Sequence, residues 1–269
     1  MSSDLNDYIN KNRTAWDQKT DQHVHSDFYE LEAFLKGKNV LRGIELDLLG
    51  DVNGKRILHL QCHFGMDSLS LARMGASVVG ADFSERAIDK AKELNNILGL
   101  NARFICCDLY NLPMLCNEQF DIVFTSYGTI GWLPDLERWA AVIEHFLVPG
   151  GTFIMADFHP FIWTFDDNMQ SIAYDYFKSE PIVEIVSGTY ADRSAPITTE
   201  TISWNHGMSE ILNSLITKNL RIEKFNEHDY SPYNCLNDLE EQGENVFRFK
   251  HIPFRIPIVY SIVARKEFR

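Results

Sequence analysis

Apolar residues along the first fifth of the chain keep a helical rhythm. Leu5, Tyr8, Ile9 and Trp16 recur among polar neighbours and predict an amphipathic helix over 4–20. A second short helix is expected over 28–35, ended by Gly37. After the Asn53-Gly54 turn signal the rhythm changes to short apolar runs separated by helical stripes. Strands are predicted over 56–61, 76–81, 102–106, 120–125 and 152–156. Between them, helices are expected over 66–74, then from Ser84 to Gly99 with Ile88, Ala91, Leu94 and Leu98 as one stripe. The last runs from Leu136 to Leu147 and is ended by Pro149-Gly150-Gly151.

Continuous apolar strands alternating with helices imply a parallel sheet covered on both faces. The expected fold is therefore α/β: a Rossmann-like, doubly wound, mostly parallel sheet with an antiparallel C-terminal strand. Beyond 157 the pattern turns β-rich, with strands expected over 181–186 and 198–204 around the turn-rich GTYADRSAP. A helix is then expected through Met208, Ile211, Leu212, Leu215 and Ile216, followed by strands over 220–225 and 256–264. One domain is expected: an N-terminal helical cap (1–50), a Rossmann-like core (51–157), an insertion after the fifth strand (158–204) and a closing helix and strands (205–269).

The 269 residues can bury a sizeable core without a staple. Lys+Arg 25 against Asp+Glu 38 gives a net charge of −13. Such a surface repels a phosphate backbone, and the densest basic stretch is only Arg265, Lys266 and Arg269, so no nucleic-acid partner is expected. No signal-peptide pattern or membrane-length apolar run occurs. Cys62, Cys106, Cys107, Cys116 and Cys235 are an odd set without a CxxC pair, which fits a reducing cytoplasm rather than a disulfide frame or a zinc site.

In an open parallel sheet, ligands bind beyond the carboxyl ends of the strands. That rule selects the turns 61–67, 82–84, 107–109 and 126–128. Asp82 ends the second strand, about 20 residues past the first turn, where a carboxylate can accept hydrogen bonds from both ribose hydroxyls of an adenosine. Asp108 can take an adenine amino group while Leu109 packs on the ring. Gln61, His63, Gly65, Phe83, Cys107, Ser126 and Tyr127 complete the candidate rim.

These pieces, ILHLQCHFGMDSLSLA, VVGADFSERAIDKAKE, CCDLYNLP, FDIVFTSYG and LVPGGTFIMAD, resemble the class I S-adenosylmethionine-dependent methyltransferases over about 55–157. More narrowly, the chain resembles a bacterial branch of small-molecule type with an HLQCHFG first turn. The family's acid-x-Gly-x-Gly-x-Gly signature is eroded: His59 stands at the acidic place, Gln61 and His63 at the first two glycine places, and only Gly65 remains. The resemblance implies S-adenosylmethionine as cofactor, S-adenosylhomocysteine as product and a small-molecule methyl acceptor. It also implies N-terminal helices folded over the cofactor, which brings in Trp16 as an aromatic face for the sulfonium.

A nicotinamide enzyme fits less well, because side chains at 61 and 63 obstruct the backbone approach a pyrophosphate requires. A non-catalytic binding or regulatory protein on the same fold stays open at this point. For a general base the candidates are His159, in the aromatic run FHPFIWTF, and His206. That run reads either as an acceptor-pocket wall or as a plug seating the insertion. His59, His63 and the nearby cysteines match no zinc spacing, and 238–244 (DLEEQGE) reads as a solvated loop.

Overall fold

A computed structural model describes residues 3–268; Arg269 lies outside them. Helix α1 (Ser3–His23) leads through two short helices, α2 (Leu31–Leu35) and α3 (Gly43–Leu49), into the alternating core. There β1 (Arg56–Leu60), α4 (Met66–Arg73), β2 (Ser77–Asp82), α5 (Glu85–Leu98) and β3 (Arg103–Cys106) follow in turn. A 3-10 segment (Leu109–Met114), β4 (Phe120–Ser126), α6 (Leu136–Phe146) and β5 (Leu147–Phe158) complete it. The hairpin β6 (Ile182–Ser187) and β7 (Thr198–Ser203) precedes α7 (Met208–Thr217) and β8 (Leu220–His228). A second hairpin, β9 (Leu239–Gly243) with β10 (Val246–Phe249), leads to the closing strand β11 (Val259–Lys266).

The sheet order is β3-β2-β1-β4-β5-β11-β8. Strands β1 to β5 pair in parallel, and β11 runs antiparallel between β5 and β8. Strand order therefore reverses between β1 and β4, and the connections leaving those two strands diverge to opposite faces. That opens a crevice at their carboxyl ends. Alternation along β1 sends Leu58 and Leu60 into one apolar layer with Trp139 and Phe146 of α6, and Ile57 into the other with Leu69 of α4 and Ile88 of α5. His59, on the second face, is buried, and its Nδ1 meets Ser68 Oγ at 2.8 Å.

Local chemistry explains where the elements depart from the sequence reading. Glu30 takes a left-handed φ of 46°, so the helix expected from Phe28 begins only at Leu31. Helix α3 was not foreseen; its seven residues are too short for a periodic stripe, but a capping box fixes it, with Arg42 N donating to Glu45 Oε1 at 3.1 Å. Helix α6 ends at Phe146, and Pro149-Gly150-Gly151 already belongs to β5, where a register shift against β4 absorbs it. The stretch read as a solvated loop is corrected to a hairpin strand, with Phe249 buried opposite Leu239.

One buried carboxylate fixes the turn that leaves β4. Asp157, on β5, accepts from Thr129 N and Ile130 N, each at 3.1 Å, from Thr129 Oγ1 at 2.9 Å, and from Gly128 N. Burial raises its pKa while these donors hold it down. Asp157→Asn turns one acceptor oxygen into a competing donor, so we expect a loss of at least about 2 kcal/mol in denaturant unfolding. An unchanged midpoint would mean the turn does not depend on this carboxylate.

Candidate functional site

The turn after β1 must redirect the chain into α4 within five residues. It does so with three left-handed residues: Gln61 (φ 53°), His63 (φ 49°) and Gly65 (φ 79°). Only the last must be glycine on space grounds, since a Cβ there would lie 2.8 Å from Phe104 and 2.9 Å from Ala91. The other two keep a glycine-like backbone while carrying side chains. Gln61 Nε2 donates to Thr129 O at 3.0 Å, and His63 Nε2 lies 2.9 Å from His23 Nδ1. Burial lowers the pKa of both histidines, that of His23 to about 3, so both imidazoles are neutral and one donates to the other.

Asp82 closes the turn from the β2 side. Its Oδ2 accepts from His63 N and its Oδ1 from Ser84 N, both at 2.9 Å. Burial pushes its pKa up to about 6 against the pull of these backbone donors. Ser84 caps α5 and donates through Oγ to Asp17 on α1 at 2.6 Å, which fixes the N-terminal helix across the start of α5. Asp108 caps the 3-10 segment by accepting from Tyr110 N at 3.1 Å, and burial raises its pKa too.

Above these turns lies a cavity of about 690 Å³. It is lined by Trp16, Gln61, His63, Gly65, Asp82, Phe83, Cys107, Asp108, Leu109, Ser126 and Tyr127, so the whole predicted rim converges on one space. Trp16 sets its ring edge-on to His63 and Trp132, with centroids 5.4 and 5.5 Å away. The roof comes from α1 and from the β6–β7 hairpin. Asn12 on α1 exchanges two hydrogen bonds with the backbone of Ile202 on β7, at 2.7 and 2.8 Å.

The two expected bases do not face this space, and that expectation is corrected. His159 turns toward β8, where its Nε2 lies 3.1 Å from Glu227 and its Nδ1 accepts from Phe161 N. His206 is buried beneath the hairpin; its Nε2 donates to Leu133 O at 2.8 Å and its Nδ1 faces Glu210. Both are used in holding segments together. The aromatic run divides its labour: Phe158 and Ile162 are buried, while Trp163 is half-buried and lines the cavity.

Sequence reading missed several lining residues. Asp67 opens α4 and accepts from Ser126 Oγ at 2.9 Å. Lys19 is 7% exposed, with its Nζ 5.2 Å from the Trp16 ring and 5.5 Å from that of Trp132. Tyr29 and Tyr190 meet hydroxyl to hydroxyl, and Glu45 is buried and accepts from the expected rim residue Tyr127 at 2.7 Å. The position of Asp67 carried a signal, a helix start. Tyr190 and Tyr233 sit in turn-rich segments where no period places a side chain.

Parts of the chain are similar to known proteins. Residues 57–151 match the methyltransferase-domain family. A Haemophilus influenzae protein is 27% identical over 239 residues, covering 82% of this chain and 85% of that one. The ubiquinone biosynthesis O-methyltransferase of Coxiella burnetii is 29% identical over 140 residues, 52% of this chain and 56% of that one. In fold, the chain is similar to an S-adenosylmethionine-dependent methyltransferase structure from Listeria monocytogenes, with a TM-score of 0.58 and 19% identity over 82% of this chain and 94% of that one. The sheet order, the rim of turns and this match agree: residues 57–151 form a methyltransferase domain, and the chain has the fold of class I S-adenosylmethionine-dependent methyltransferases.

Proposed function

We propose that S-adenosylmethionine lies across the turns after β1, β2 and β3, with its ribose on Asp82 and its adenine between Asp108 and Leu109. The observation that carries this reading is Asp82 itself. Each of its oxygens accepts from a backbone N–H group, which leaves acceptor capacity on both, and the residue lines the cavity. Phe83 and Cys107 flank the nucleoside. Gly65 lets the turn pack closely on Phe104 and Ala91 beneath the donor, and Gln61, His63, Ser126 and Tyr127 border the methionine side. Trp16 presents an aromatic face to the sulfonium.

The acceptor is a small molecule with an apolar or aromatic body. Insertion 158–204 supplies much of its wall, through Trp163, Ile182, Val186 and Tyr190. Transfer is an in-line displacement at the methyl carbon: the acceptor's lone pair forms the new bond as the carbon–sulfur bond breaks, leaving a neutral thioether. Positioning supplies most of the rate, since neither His159 nor His206 faces the cavity to serve as base. The acidic surface and five free cysteines fit a cytoplasmic enzyme acting on small molecules rather than on nucleic acid.

Two measurements test this. Asp82→Asn removes a charge-assisted bond worth about 1.5–3 kcal/mol, so S-adenosylhomocysteine affinity should fall at least about tenfold in calorimetry, with the fold retained. Equal affinity would show that the ribose lies elsewhere. Trp163→Ala should leave that affinity within about twofold while altering acceptor turnover. It should also lose less than the roughly 3–5 kcal/mol of a fully buried aromatic, because the ring already faces open space. A full loss of that size with normal turnover would return Trp163 to the role of plug.

A further inference from the structure

The eroded glycine signature leaves a question of charge. A methionine end is a zwitterion, and a turn with side chains at 61 and 63 exposes fewer backbone groups to hold it. Among the cavity's cations, three are already engaged. Lys38 pairs with Glu30, Arg193 donates to Leu236 O, and Arg42 stacks on Tyr233 near Asp67. Lys19 differs: among the described residues it forms no ion pair, although it is almost wholly buried between two tryptophans. A buried ammonium without a counter-charge is costly unless a ligand supplies one.

Its place is specific. Trp16 touches His63 of the first turn, and Trp132 follows β4, so Lys19 overhangs the two turns on either side of the strand-order reversal. A donor with its nucleoside at Asp82 and Asp108 must run its tail toward that point. On the floor of the same cleft is Asp67, partly open to the cavity, one oxygen held by Ser126 Oγ. Ser126 Oγ also lies 3.5 Å from His59 Nε2, the residue at the family's acidic place. The carboxylate missing from position 59 is thus restored from position 67 within the same cluster.

We infer that Lys19 and Asp67 together hold the amino-acid end of the donor, Lys19 pairing with its carboxylate and Asp67 with its ammonium, in place of the lost glycine signature. This rests on the donor placement proposed above. Both are positioning residues for the transfer. Desolvation lowers the Lys19 pKa to about 8, against a smaller opposing pull from Glu184. The other titratable groups facing it, His23 and His63, are neutral. A bound carboxylate favours the ammonium, so binding above about pH 8 requires proton uptake at Lys19 and weakens as pH rises.

The test uses two probes: S-adenosylhomocysteine, and 5′-methylthioadenosine, which has the adenosine and sulfur but no amino-acid end. In calorimetry on the full chain, Lys19→Met should weaken S-adenosylhomocysteine at least about 30-fold and leave 5′-methylthioadenosine within about twofold. Lys19→Arg should recover most of the loss and move the alkaline decline in affinity to higher pH. Asp67→Asn should show the same selectivity, with a thermal melt confirming the fold. Unchanged S-adenosylhomocysteine affinity in Lys19→Met, or equal losses for both probes in a folded variant, would overturn the inference while leaving the donor site standing. Failure of the unaltered protein to bind either probe would overturn the donor placement as well.

Discussion

Five residues between β1 and α4 set the geometry on which everything at the rim depends. The chain leaves a buried strand at Leu60 and enters a helix at Met66, and the space between admits only a backbone with three positive φ values. Non-glycine residues in that region cost on the order of 1–3 kcal/mol each and persist only where their surroundings over-determine them. Here they do. Asp82 grips His63 N, Thr129 O receives the Gln61 amide, and His23 meets the His63 ring. The donor crevice is therefore built by three elements at once, and α1 is part of that support.

That dependence explains why the N-terminal helix is fastened so firmly to the core. Asp17 receives Ser84 Oγ and Arg86 N at the start of α5, while Asn12 reads the β7 edge. One helix thereby links the start of α5 to the β6–β7 roof. A signature made of glycines needs no such brace, because glycine adopts these angles without strain. Replacing glycines with side chains exchanges backbone freedom for lateral contacts, and the contacts come from outside the Rossmann layer.

Much of this was legible in the sequence because the parallel core obeys simple rules. Short apolar strands alternating with striped helices gave the layer, and the strand-end rule then gave Asp82, Asp108 and Ser126 without any glycine motif. Less regular parts escaped for physical reasons. Helix α3 is too short for a period and is fixed by the Glu45 cap, and the β9–β10 hairpin hides in a run of acids whose strand character comes from pairing with Phe249 and its neighbours. The two histidines were drawn in by chemistry alone. Each lies near the rim in sequence, yet His159 turns toward β8 and His206 toward Leu133, and no linear pattern reports which way a loop side chain turns.

Charge is the deeper reason that the proposed transfer rests on positioning rather than on acid–base chemistry. Histidines 23, 59 and 63 are held neutral by burial, while Asp67, Asp82 and Asp157 stay within hydrogen-bond reach of donors that favour their charged forms. A sulfonium entering such a space meets aromatic faces and carboxylates, and it loses its positive charge when the methyl leaves. Strong stabilisation of the sulfonium alone would bind the donor at the expense of the transfer. In the donor placement proposed above, carboxylates on the ribose and methionine ends would hold the donor by groups whose charge does not change in the reaction. Asp67 and Asp82 line the cavity together with Trp16 and Trp132, a set of groups that suits the proposed arrangement.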